Sequence, residues 1–156
     1  MKFQVHNLQN GSMKECDLNN LSRSLSVDSE IVLFDGEKVE AIGFVSHSLL
    51  VYFCVEFADY ALQNYTNEKI PKAEECIFLV RKWIENPNSV SKEELNDYAD
   101  AAYAAVYAAA AAYATNAAVY AVYAANAANA AANAAGKNKE KEFERQGRFI
   151  LSYFCP

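Results

Sequence analysis

Histidine, proline and glycine are all scarce in this 156-residue chain, at two, three and five residues respectively. So little glycine leaves no glycine-rich phosphate loop and no G-x-S-x-G elbow, so loop-built catalysis is poorly supplied. His6 and His47 have no Cys, Asp or Glu at metal-ligand spacing and no H-E-x-x-H occurs. Neither is expected to ligate a metal or act as a base. The four cysteines (Cys16, Cys54, Cys76, Cys155) form no C-x-x-C pair. Two or three are expected as small apolar core residues in a reducing compartment. Positive charge is in deficit too. With 14 Lys+Arg against 20 Asp+Glu, the net charge of -6 disfavours nucleic acid and anionic membranes and favours a basic partner. The N-terminus, Met1-Lys2-Phe3-Gln4-Val5-His6, lacks the apolar core of a signal peptide, so the expected location is the cytoplasm.

Alanine, by contrast, dominates the second half. From Ala99 to Ala135 there are 23 alanines in 37 residues, and no charge lies between Asp100 and Lys137. Alanine loses no rotamer freedom in a helix, so the summed preference over such a window dictates helix. Asn116, Asn126, Asn129 and Asn133 oppose membrane insertion of the segment. Ser91 with Glu94 forms an S-x-x-E capping box, with Val90 and Leu95 placed as a hydrophobic staple. A single helix over 92–135 would run about 66 Å at 1.5 Å per residue, roughly twice the span of a compact domain of this size. A break is expected at Thr115-Asn116, giving helices 92–114 and 117–135. Leu95, Val106, Tyr113 and Tyr120 share a narrow stripe that could seat against earlier helices, and the small residues allow close helix approach. Asn126, Asn129 and Asn133 share a face, read as a solvated edge.

The rest of the chain supplies the partners. Residues 2–8 alternate with Phe3 and Val5 on one side, followed by the turn signal Asn10-Gly11-Ser12. A short helix is expected around Leu21 to Leu25. Ile31–Phe34 and Val39–Val45, joined through Asp35-Gly36, read as a hairpin. The first 45 residues therefore predict an antiparallel β element of about three strands, with Phe3, Val5, Ile31, Leu33 and Phe44 pointing inward. The stripe Leu50, Val51, Cys54, Val55, Ala58 and Leu62 predicts a helix over 47–65. Pro71, Glu74 and Glu75 open a second over 71–85, stopped by Asn86-Pro87-Asn88. Gly136 reads as the residue closing the alanine run. Phe143, Phe149, Ile150, Tyr153 and Phe154 predict a last amphipathic helix over 139–154, despite Gly147. The fold class expected is α+β, mainly α: a small N-terminal antiparallel β subdomain (1–45) and an alanine-rich helical bundle (46–156), packed as one compact unit.

Chemistry is sparse. Glu93, Glu94, Asp97 and Asp100 around one helix start complement its dipole and also offer an acidic face to a basic partner. Six tyrosines on the alanine helices spread over too many angles for all to be core. Some of Tyr98, Tyr103, Tyr107 and Tyr123 should face solvent, where tyrosine gives large contact area at low entropic cost. These eight residues are the candidate partner-binding set. The sequence leaves open whether the tyrosine faces or the N-terminal sheet would do the binding.

One order of features stands out. Cys54-Val55-Glu56 on an apolar helix is followed by Pro71-Lys72-Ala73 leading to Trp83. Glu93-Glu94 then opens the Ala-Ala-Tyr-Ala-Ala-Val-Tyr-Ala-Ala-Ala run, and a charged-aromatic helix closes the chain. Over about Leu49 to Phe154 this resembles the alanine-rich helical immunity proteins of bacterial toxin systems and related phage-encoded alanine/aromatic repeat proteins. The family implies no catalytic site. It implies a role in conflict between bacteria, their toxins and their phages, exercised by binding in the bacterial cytoplasm. Taken with the acidity, the excess of tyrosine and the missing catalytic constellation, the expectation is a protein that binds and neutralises a toxin or a host-defence nuclease complex, with no enzyme activity, no cofactor and no direct nucleic-acid or membrane contact. That covers toxin immunity and phage anti-defence proteins of the anti-CRISPR type. The alternative is a structural module whose alanine helices pair between copies.

Overall fold

A computed structural model of the chain describes residues 1–36, 38–65, 69, 71–91, 93–94 and 124–156. The protein is α+β and mainly helical. Four antiparallel strands, β1 (Lys2–Asn7), β2 (Met13–Asp17), β3 (Ser29–Asp35) and β4 (Lys38–Val45), form one sheet in the order β2-β1-β3-β4. Among the described residues the helices are α1 (Leu18–Ser24), α2 (His47–Asn64), α3 (Pro71–Glu85), α4 (Ala124–Ala134) and α5 (Lys139–Phe154). Short 3₁₀ turns follow α3 and α4.

Local chemistry explains most boundaries. Asn7 Oδ1 accepts the backbone N–H groups of Gln9 and Asn10, and Gly11 takes φ +71°, turning β1 into β2. Asp17 caps α1 by accepting from Asn20 N. Ser46 caps α2 by accepting from Leu49 N, satisfying an N–H that the first helical turn leaves without a partner. Ser91 Oγ accepts from Glu94 N at 3.0 Å, which is the cap the sequence predicts at that start. The expected break at Thr115-Asn116 and the stripe of Leu95, Val106, Tyr113 and Tyr120 lie outside the described residues.

Two expectations need correcting. The sheet has four strands, not three, because Met13–Asp17 forms a charged edge strand whose one buried side chain is Cys16. Phe44 does not point inward. The β3–β4 register steps from Val32↔Ala41 to Ile31↔Gly43, leaving Ile42 as an extra residue. Since side chains alternate with period two, this bulge flips everything after it. Gly43 and Val45 face the core, and Phe44, 49% exposed, faces away.

One continuous core joins the sheet to the helices. Phe3, Val5, Ile31 and Val45 meet Leu21 of α1, Leu50, Val51, Phe53, Cys54, Val55 and Phe57 of α2, and Ile150 of α5. Phe53 stacks edge-on with Phe149, Tyr153 and Phe154, centroids 5.5 to 6.2 Å apart, a seam of preferred aromatic geometries. Two glycines permit close approach. A Cβ on Gly43 would meet the Phe154 ring, and one on Gly147 would meet the Leu18 carbonyl oxygen. Gly147 is thus what lets α5 lie against the start of α1. Ala128, Ala130, Ala131, Ala132 and Ala134 of α4 are buried, and Asn129 and Asn133 are half-buried.

Candidate functional site

Of the eight residues the sequence singles out, Glu93 and Glu94 are exposed beside the Ser91 cap. Asp97, Asp100, Tyr98, Tyr103, Tyr107 and Tyr123 lie outside the described residues. His6 is within 3.3 Å of Gln4 Oε1, and His47 stacks edge-on against Trp83 at 5.7 Å. Among the described residues no group of three His, Cys, Asp or Glu side chains could hold a metal ion. No described helix is long and apolar enough to cross a membrane.

The densest polar chemistry among the described residues is buried between helices. Glu142 and Gln146, one turn apart on α5, are 1% and 0% exposed. Glu142 Oε2 accepts from Tyr65 OH at 2.6 Å and Arg145 Nε at 2.8 Å. Its Oε1 accepts from Arg145 Nη2 at 2.6 Å and Gln146 Nε2 at 3.0 Å. A carboxylate offers about four acceptor positions, so this one is saturated. Gln146 Nε2 also donates to the Ala128 carbonyl, and its Oε1 accepts from Ser22 Oγ at 2.8 Å. Arg145 in turn lies 3.5 Å over the Tyr60 ring. Burial, reinforced by the hydrogen bond to Glu142 and its charge, pushes the Tyr65 phenol pKa above its ordinary value. With the Glu142 carboxylate and the Gln146 amide both satisfied, this cluster fastens α1, α4 and α5 to the end of α2.

A second polar tie is half-buried. Arg81 on α3 donates to Glu56 Oε1 at 2.8 Å and Asp59 Oδ2 at 2.7 Å on α2. Burial works against its charge, but the two carboxylates outweigh that and hold the guanidinium protonated. This is again a helix-to-helix contact.

Among the described residues, the outer face of the sheet gathers several exposed apolar side chains. Alternation places Phe3 and Val5 of β1 toward the helices and Gln4 and His6 away from them. Register then puts Val32 and Phe34 of β3, and Val39, Ala41 and Phe44 of β4, on the same outer side. Phe34 is 41% exposed, Val39 66% and Phe44 49%, while Val32 between them is buried. Phe34 pairs with Val39, and Phe44 with Glu30. The three exposed side chains leave roughly 300 Å² of apolar surface in water, a size at which a monomer's largest patch is often functional. On the same face lie Glu30 of β3 and, two strands away on β2, Glu15 and Asp17, with Lys2 of β1 between Asp17 and Phe34. The sequence did carry a signal for this face: an isolated glycine inside a strand pattern, here Gly43, marks a bulge.

No protein-family model, no curated protein and no solved structure matches the chain.

Proposed function

We propose that this chain is a non-enzymatic inhibitor that binds and neutralises another protein in conflict between bacteria, their toxins and their phages, working in the cytoplasm of a bacterial cell. The observation that carries the reading is the apolar patch of Phe34, Val39 and Phe44 on the outer sheet face. The helical part, which bears the resemblance to immunity proteins, supplies the scaffold. The sheet, which lies outside that resemblance, supplies the surface. Burying about 300 Å² at 25 cal/mol/Å² yields at most about 7 kcal/mol, comparable to the cost of association itself. The patch is therefore the centre of an interface whose rim must add contacts.

The test is a protection assay. Bacterial cells carrying a candidate toxin or an active nuclease-based phage defence would express the chain or its Phe34→Ser/Phe44→Ser variant at matched levels. The reading predicts that the native chain restores growth or phage plating and that the double variant, though folded, does not. Equal protection by both would remove the sheet face from the function, and no protection in any system would end the inhibitor reading. A dimer dissolved by the same double variant would favour the self-assembling module.

A further inference from the structure

We infer that the outer sheet face takes a basic amphipathic helix of a partner protein; this rests on the binding reading above and names the chemistry of what is bound. The face has two apolar ends. Phe34 and Val39 pair at one and Phe44 stands at the other, opposite Glu30. Val32, buried, and the small Ala41 pair at the floor between them. Phe34 and Glu30 are four residues apart on β3, so the two ends lie about 13 Å apart. Two turns of an α-helix advance about 11 Å, so one helix can set an apolar anchor at each end, the groove-filling mode by which amphipathic helices are recognised.

Charge selects among occupants. The outward strand positions carry Glu15, Asp17 and Glu30 against Lys2, on a chain of net charge -6. Anionic lipid and nucleic acid are repelled by such a rim. A second copy placed face to face would bring the same acids together, where like charges across an interface are penalised. Edge pairing between copies through β4 is opposed by its bulge and by Lys38 and Glu40, devices that blunt edge strands. A helix with leucine-like anchors and Lys or Arg flanks meets the apolar floor and the acidic rim together.

The probe is a pair of synthetic helices of about 18 residues, five turns, with identical leucine faces. One carries lysine and the other glutamate on the polar face. Each is titrated into the full isotope-labelled chain, followed by backbone amide shifts and by fluorescence anisotropy. The lysine helix should bind, moving the amides of residues 32–34 and 39–44, and the glutamate helix should not. Glu30→Lys should weaken the lysine helix by about tenfold, and raising salt from about 50 to about 200 mM should weaken it further. Phe44→Ser, its fold checked by an unchanged melting curve, should abolish binding. If both helices bind the face alike, apolar docking and the proposed function survive while the basic-partner inference fails. Shifts confined to other surfaces, or no binding by either helix, overturn the inference, and the protection assay then judges the function separately.

Discussion

Removing the Glu142 carboxylate should be among the most costly single changes in the described part of the molecule. Its side chain is fully buried and accepts four hydrogen bonds, two of them from Arg145. Breaking a buried ion pair by deleting one partner costs about 3–5 kcal/mol, because the other charge stays desolvated. Here the Arg145 side chain is 27% exposed and can turn partly to water, so Glu142→Ala should fall near the lower end, about 3 kcal/mol. For a chain of this length that lowers Tm by about 6–12 °C. Glu142→Gln keeps the volume but points an NH₂ at groups that are all donors. It should cost roughly half as much, about 1.5 kcal/mol. Arg145→Ala strands the carboxylate instead, and the double variant should cost less than the sum of the singles, because each removes the other's orphaned partner. The assay is urea unfolding followed by far-UV circular dichroism at neutral pH, with the slope checked for constancy. A Glu142→Ala loss within about 0.5 kcal/mol, the size of an ordinary surface change, would refute the claim that this cluster fastens the helices.

Three further outcomes follow from the packing. Gly147→Ala should force α5 off the Leu18 carbonyl and cost about 1–3 kcal/mol, with faster amide exchange in α1 than in α3. A thiol reagent at mildly alkaline pH should label the exposed Cys155 rapidly, leaving the buried Cys16, Cys54 and Cys76 for the denatured chain; burial pushes the Cys54 thiol up to about 12 and the Cys76 thiol up to about 11. Tyr65, Cys54 and Cys76 all have raised folded values. Their contribution is complete below pH 9, where both states are protonated, and is lost as pH rises past 9.0 and 10.0, the ordinary thiol and phenol values, toward the folded ones. Stability should therefore decline from about pH 9 upward, and the decline should be shallower in Tyr65→Phe by equilibrium unfolding.

What the sequence made legible was local. Pro71 and Ser91 mark helix starts through signals local to the chain, and the 71–85 and 139–154 ranges coincide with the structure. What escaped depends on pairing. Phe44 faces outward only because β4 accommodates an extra residue against β3, a property of two strands that alternation along one cannot reveal. Glu142 and Gln146 carry no mark of burial by residue type, since polar residues on a closing helix usually face water. Yet they lie in line with Ile150 at spacings of four, beside Gly147, and a glycine on that stripe signals close approach. Strand β2 was missed because charges fill most of an edge strand with one inward side chain.

The most direct test of the central claim, that the outer sheet face is where this protein meets its target, is site-specific photocrosslinking in cells the chain protects. A benzophenone side chain would replace Phe44 and, in a separate variant, Phe78, which is 66% exposed on α3. The account predicts a discrete heavier adduct from position 44 that weakens when Glu30→Lys is added, and none from position 78. Equal adducts from both positions, or an adduct from position 78 alone, would contradict it.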